Sequence, residues 1–172
     1  HDYPYTGTTL NTTKAYTIET GNKTVAGDQY TAEYGFVESF ELSGTNGETW
    51  MISSNWRARQ MTQASITGGL SVPTVNEARF NKTSLYIDAT GGTIGSTPLS
   101  GVLMSANVNV TTGLIPVPVG DGNLYFSATK WKQPEITFSL TMELEDGSVV
   151  ADERAFYRSD TVRLIRLKCA ES

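Results

Sequence analysis

The strictest pattern in the chain is an alternation of apolar and polar residues from Glu135 to Glu145. The apolar members fall at every second position and are Ile136, Phe138, Leu140, Met142 and Leu144. Side chains of a β-strand point to opposite faces with this period, whereas a helix brings together residues three and four apart. The segment is therefore predicted to be a strand with one face in the core and the other in solvent.

Other segments also show strand character. Gly101–Thr112 repeats the alternation, and Phe36–Leu42 and Thr49–Gln60 flank an Asn46-Gly47 turn, which predicts a long β-hairpin. The core-facing residues of its second arm are expected to be Trp50, Ile52, Trp56 and Ala58. Shorter strands are predicted at Ala15–Glu19, Gln29–Tyr34, Ser84–Asp88 and Val162–Cys169.

Helical character is confined to short segments. Val150–Arg158 has apolar residues at helical spacing, with acidic residues near its start and arginines further along, as the helix dipole favours. Pro73–Phe80 is a candidate for one further helical turn. We therefore expect an all-β fold with one short helix, and the length of 172 residues fits a single domain over 1–172.

Composition excludes much catalytic chemistry. The one histidine, His1, is at the end of the sequence, so we expect no Ser/His/Asp triad on an ordered scaffold. With one histidine and one cysteine, Cys169, neither a multi-histidine nor a Cys-x-x-Cys metal site can be assembled. Nucleotide-binding loops are absent from the sequence, and we expect no cofactor and no metal. A carboxylate pair among Glu143, Glu145 and Asp146 remains as an enzyme hypothesis, but the simpler interpretation is a solvated face. We expect a protein that is not an enzyme.

Two segments are candidates for contacts with other molecules. Arg57 and Arg59 share a polar strand face, where they lie either on a solvated edge or against acidic residues of a neighbouring subunit. Leu114-Ile115-Pro116-Val117-Pro118-Val119 is predicted to be an apolar loop, because its prolines block strand pairing. Leu114, Ile115 and Val117 are therefore either packed inside the domain or candidate inter-subunit contacts.

A series of short segments extends over most of the chain from about Tyr16 onward, and what is specific is their number and order. They are 36–44 (FVESFELSG), 46–48 (NGE), 56–62 (WRARQMT), 85–89 (LYIDA), 91–95 (GGTIG), 112–113 (TG), 120–122 (GDG), 124–126 (LYF) and 163–167 (RLIRL). In this order they resemble the major tail proteins, or tail tube proteins, of long-tailed bacteriophages. Members of this family are longer at the front, so we expect a further segment ahead of residue 1.

The resemblance implies a tail-tube-like β-sandwich or barrel with a flanking helix. Six copies would close into a ring, and stacked rings would form a tube for passage of the genome into the host. The partners expected from it are further copies of the chain, other phage tail proteins, and DNA that passes without sequence-specific binding. The expected location is the virion tail, assembled in the bacterial cytoplasm, and no membrane insertion by this chain is expected.

The charge balance suits a channel for DNA. The chain has a formal net charge of -5, and a wall of like sign repels a duplex that carries about one negative charge per 1.7 Å. The candidates to face the channel are Ser39, Glu41, Glu135, Glu143 and Glu145. The alternative function is a carbohydrate-binding or adhesive β-sandwich, in which an exposed Trp131 and surface tyrosines stack on sugar rings.

Overall fold

The computed structural model describes residues 14–96, 98–99, 101–143 and 149–170, and they confirm an all-β fold with one short α-helix. Strands β1 to β11 lie, in chain order, at Tyr16–Gly21, Gln29–Thr45, Met51–Arg57, Gln60–Gln63, Thr83–Ala89, Pro98–Leu99, Leu103–Thr111, Leu114–Val117, Ala128–Trp131, Glu135–Met142 and Arg163–Cys169. Helix α1 is Val149–Arg158, and a 3₁₀ turn covers Phe80–Lys82.

The strands form three sheets in the described part of the chain. The largest has the order β1-β2-β7-β10, with β3 and β4 also paired to β2. The second has the order β11-β5-β6, and the third is the antiparallel pair β8-β9. Strand β2 and its neighbours β3 and β4 thus contain the predicted hairpin, whose Asn46-Gly47 turn has Gly47 at φ 91°.

Strand β2 is 17 residues long and merges two predicted strands. A β-bulge joins them, because the pairing with β1 shifts by one residue between Tyr16, opposite Gly35, and Ile18, opposite Ala32. Tyr34, at this shift, has a positive φ of 55°. A bulge of this kind increases the local twist and lets one strand serve different neighbours along its length.

The chain forms two compact units. Unit 1 comprises the described parts of 1–39, 55–71 and 111–135, and its buried apolar side chains are Ala32, Phe36 and Phe126. Unit 2 comprises the described parts of 40–54, 72–110 and 136–172, and its buried apolar side chains are Phe80, Leu85 and Ala106. In unit 2, the Trp50 indole packs on the Phe80 ring and donates a hydrogen bond to Thr83 Oγ1.

Three sequence-based boundaries are corrected by the structure. The second hairpin arm is two strands, β3 and β4, because strand pairing is interrupted at the residues between them, which include Arg59. The Leu114–Val119 segment is not a loop, since Leu114–Val117 is strand β8 and Pro116 lies opposite Thr129. Residues 73–78 are irregular, and the helical turn begins only at Phe80.

The predicted core faces of two strands are largely uncovered. Ile136 and Phe138 of β10 are 63% and 53% exposed, and Ile52 and Trp56 of β3 are 68% and 42% exposed. The alternation correctly predicted the β10 strand, but both strands lie at an edge of their sheet, with a neighbour on one side only among the described residues. Apolar side chains there lack a second layer to cover them.

The candidate residues Glu145 and Asp146, and the sole histidine His1, lie outside the described residues. Within the described ranges, no helix is both long and apolar enough to cross a membrane.

Candidate assembly surface

Strand β10 is an outer strand whose open edge carries apolar side chains. It pairs with β7, and the described residues provide no strand on its other side. Its sequence, EITFSLTM, has neither proline nor lysine, the residues that natural proteins use to keep exposed edges from pairing. Ile136 and Phe138 project from the same face, since they are two positions apart. This edge is therefore open both for main-chain pairing and for burial of apolar surface.

Strand β3 presents the second such edge. Within unit 2, β2 lies between β3 and β7, and β10 is the outer neighbour of β7, so β3 and β10 are the two outermost strands. Met51 and Ile52 of β3 are both mostly exposed, and the part of the strand in unit 2, residues 51–54 (MISS), contains neither proline nor a charged residue, since Arg57 lies at the far end of β3 in unit 1. The same four-stranded region thus ends in two edges that lack protection against pairing.

The other two sheets have protected edges. Strand β6 is only Pro98–Leu99, and β11 carries Arg163, Arg166 and Lys168 along its seven residues. In the two-stranded sheet, β8 contains Pro116 and β9 contains Lys130. Short length, proline and positive charge all discourage edge pairing. In these two sheets, unlike at β3 and β10, each described edge strand therefore has at least one of these protections.

One face of the unit 2 sheet is polar and internally hydrogen-bonded. Asn107 on β7 donates from Nδ2 to Glu41 Oε1 on β2, and Asn109 donates from Nδ2 to Asn107 Oδ1 at 2.6 Å. An open hollow beside this row is lined in part by Ser43, Ser105 and Ser139, from three neighbouring strands. The face therefore combines hydroxyl and amide groups with a carboxylate held in a defined position.

The five candidate channel residues do not form one cluster in the described structure. Ser39, in unit 1, accepts a hydrogen bond at Oγ from Asn55 Nδ2 at 3.0 Å, and Glu41 is bound by Asn107 in unit 2. Glu135 begins β10 and Glu143 follows its end, which places them about 26 Å apart along an extended chain. Of these five candidates, the described structure thus places only Glu41 in the polar row with Asn107 and Asn109. The assignment of channel-facing residues stays a prediction.

Arg57 already has an acidic partner in its own unit. Its Nε lies 2.6 Å from Glu38 Oε1, and the side chains are 51% and 30% exposed. The hydrogen bond and the charge of Glu38 raise the pKa of the Arg57 guanidinium above its usual value. Arg57 can reach a neighbouring copy only by sharing or giving up this pair.

Arg59 does not share the polar strand face that the sequence predicted. Its guanidinium stacks over the Tyr34 ring at 4.2 Å from the centroid and lies 5.6 Å from the ring centroids of both Tyr125 and Phe126. Its Nη2 donates to the Ser127 carbonyl oxygen at 3.3 Å. A cation held against aromatic faces in this way stabilises unit 1 internally.

The apolar candidates Leu114, Ile115 and Val117 are half-buried in strand β8. Leu114 lies opposite Trp131 of β9, whose side chain is 47% exposed. These residues are therefore partly covered by their own hairpin-like sheet. Their role as inter-subunit contacts stays a prediction.

Sequence reasoning missed the anchor of helix α1. Arg163 Nη2 lies 2.8 Å from Glu153 Oε1, with the side chains only 18% and 12% exposed, and its guanidinium is 4.3 Å from the Phe156 ring centroid. Glu153 and Phe156 are three residues apart, so they share one face of the helix. This spacing was the signal in the sequence that could have indicated which helix face is docked. That Arg163 is their partner depends on the tertiary structure.

No protein-family model matches the chain, and no curated protein matches it. Among the residues that the structure describes, no three His, Cys, Asp or Glu side chains are grouped so as to hold a metal ion.

Proposed function

We propose that this protein is a structural subunit that assembles with copies of itself into rings, which stack into a tube for DNA passage, as the resemblance to bacteriophage tail tube proteins implies. The observation that carries the proposal is the pair of unprotected edges, β3 and β10, at opposite sides of one sheet region. Exposed edges of this kind favour pairing with another chain. The exposed Ile52, Ile136 and Phe138 side chains would gain cover in the same contact.

The two edges differ in sequence, and this favours a head-to-tail contact. If β10 of one copy pairs with β3 of the next, the pair as a whole retains one free edge of each kind. Such a heterologous contact closes into a ring when the rotation between copies divides a full turn. Ring closure would leave neither edge exposed.

The polar face gives a ring assembled in this way a surface suited to DNA passage. Hydroxyl and amide groups with Glu41 offer no concentration of positive charge that would hold phosphates. The net charge of -5 supports the same interpretation, since repulsion keeps a duplex from binding to the wall. The protein would be located in the virion tail and assembled in the host cytoplasm, with other tail proteins at the ends of the tube.

The edges are tested by placing a charge on each in turn. Phe138→Lys and Ile52→Lys both put an ammonium group into the proposed contact, and Val162→Lys is a matched control at an equally exposed apolar residue before β11. Burying a large apolar side chain contributes about 1.5–3 kcal/mol, so each edge variant should associate at least about tenfold more weakly. Sedimentation velocity and negative-stain imaging across a concentration series measure this. Equal assembly of all three variants would contradict the proposal.

A mixture of the two edge variants distinguishes head-to-tail pairing from symmetric pairing. The Phe138→Lys copy retains a native β3 and the Ile52→Lys copy retains a native β10. Head-to-tail pairing therefore predicts heterodimers that cannot extend to rings. If like edges paired instead, each variant alone would still form dimers through its native edge.

A second candidate function rests on Trp131, whose exposure the structure confirms. Its indole lies in β9 between Lys130 and Lys132 and could stack on a sugar ring, as in a carbohydrate-binding or adhesive module. Glycan binding by the wild-type chain that is lost in Trp131→Ala, together with a monomeric state at all concentrations, would favour this candidate.

A further inference from the structure

Helix α1 has one face docked within unit 2 and another face without a partner. The docked face carries Glu153 and Phe156, which contact Arg163. On the outer side, Arg154 is next to Tyr157 and Arg158, because residues three and four apart are neighbours on a helix surface. All three are exposed, and Tyr157 is 87% exposed.

The two outer arginines have no carboxylate partner among the described residues. Like charges four apart on a helix destabilise it slightly, although the helix dipole partly compensates Arg158 near the C-terminal end. An open groove of about 450 Å³ is lined by Arg154, Ala155, Arg158 and Ser159. Both arginines are exposed, so their guanidinium groups are accessible to an incoming acidic group.

The residue types on this face are those that contribute most to protein interfaces. Tyrosine and arginine are enriched among the residues whose loss weakens binding most, and arginine binds carboxylates through two parallel hydrogen bonds. The chain as a whole has an excess of carboxylates, 18 acidic against 13 basic residues. Exposed Glu48, in the β2–β3 connection, and Glu143, after β10, have no ion pair within the described ranges.

We infer that the outer face of α1, formed by Arg154, Tyr157 and Arg158, binds exposed carboxylates of a second copy of this chain. The inference rests on the proposed self-assembly and adds a contact separate from the strand edges. Charge complementarity identifies the occupant, because an acidic chain that assembles with itself brings carboxylates to each basic face. The contact would strengthen association at low ionic strength and weaken as salt screens it.

The test reverses the charge of this face in the full chain. Arg154→Glu/Arg158→Glu is compared with Lys130→Glu/Lys132→Glu, which changes the net charge equally in β9 and at the residue that follows it, outside the helix. Sedimentation velocity of the purified chain at about 0.05, 0.15 and 1 M salt gives the association constants, and circular dichroism verifies folding. Because only this chain is present, a selective effect arises from contacts between copies. Arg154→Gln/Arg158→Gln provides a milder change should the reversal prevent folding.

We expect the helix variant to associate at least about tenfold more weakly than the β9 control at 0.05 M salt, and the difference to shrink at 1 M, where the screening length is about 3 Å. The glutamine variant should fall between the wild type and the charge reversal. If the wild type assembles and the helix variants match the β9 control, the helix contact is refuted while the proposed function stands. If the wild type remains monomeric throughout, both are refuted.

Discussion

The buried ion pair that anchors helix α1 predicts a large and local loss of stability in Arg163→Ala. The substitution leaves Glu153 with a carboxylate that is only 12% exposed and without its cation, and it removes the stacking on Phe156. Breaking one side of a buried pair costs about 3–5 kcal/mol, and the residual exposure of both side chains reduces this to about 2–4 kcal/mol. At about 2–4 °C per kcal/mol for a chain of this size, the melting temperature should fall by about 4–16 °C.

The matched control is Arg57→Ala, which removes an Arg–Glu pair of similar length whose side chains are far more exposed. Exposed pairs contribute little, so this variant should melt close to the wild type. Differential scanning calorimetry measures both variants, and amide hydrogen exchange should show loss of protection concentrated in 152–158. In a chain that carries Arg163→Met, the added substitution Glu153→Gln should recover part of the lost stability, because it removes the unpaired negative charge of Glu153. Equal melting of the two alanine variants would refute the argument that burial makes the Arg163 pair important.

Two further predictions concern a turn and a glycine. Hydrogen bonds from the Gly95 N–H and the Ser96 Oγ lower the pKa of Asp88 in the folded protein. The ionised Asp88 therefore stabilises the fold at a pH above its unfolded-state pKa. This stabilisation is lost as the pH falls through the lowered pKa of the folded state. The protection factor of the Gly95 amide, which is its exchange rate relative to the intrinsic rate at the same pH, should therefore fall on acidification, and an unchanged acid response in Asp88→Asn would contradict this assignment. Gly113→Ala should destabilise the β8–β9 sheet by more than about 1 kcal/mol, since Gly113 has φ 76° and an added Cβ would lie 2.3 Å from the Lys132 carbonyl oxygen. Gly122→Ala, with φ 84° and open space around it, should cost less in thermal unfolding, and the reverse order would show that the close approach is not the cause.

Much of the secondary structure follows from local patterns. The alternation at 135–142, the Asn46-Gly47 turn and the acidic-to-basic order along 149–158 each correspond to an observed element. These patterns succeed because they depend on backbone geometry over a few residues. The loop predicted at Pro116 was wrong for the complementary reason, since proline lacks one backbone donor but can still lie in an edge strand.

The candidate assembly surface could be identified only from the tertiary structure. Alternation distinguishes the two faces of β3 and β10, but it does not determine whether another layer covers the apolar face, and Ile52 and Phe138 are in fact exposed. Arg57 and Arg59 look equivalent in sequence, yet one pairs with Glu38 and the other stacks on Tyr34. Their partners are distant in sequence, so the difference depends on how the chain folds back on itself.

Periodicity and turn chemistry act over neighbouring residues, so they were sufficient to predict a chain built from strands with one short helix. The identity of the outermost strands, the exposure of their apolar side chains and the contact of Arg163 with Glu153 of helix α1 depend on the tertiary structure. Burial and pairing are properties of residues that meet across long sequence separations, and a local pattern cannot specify what lies opposite it.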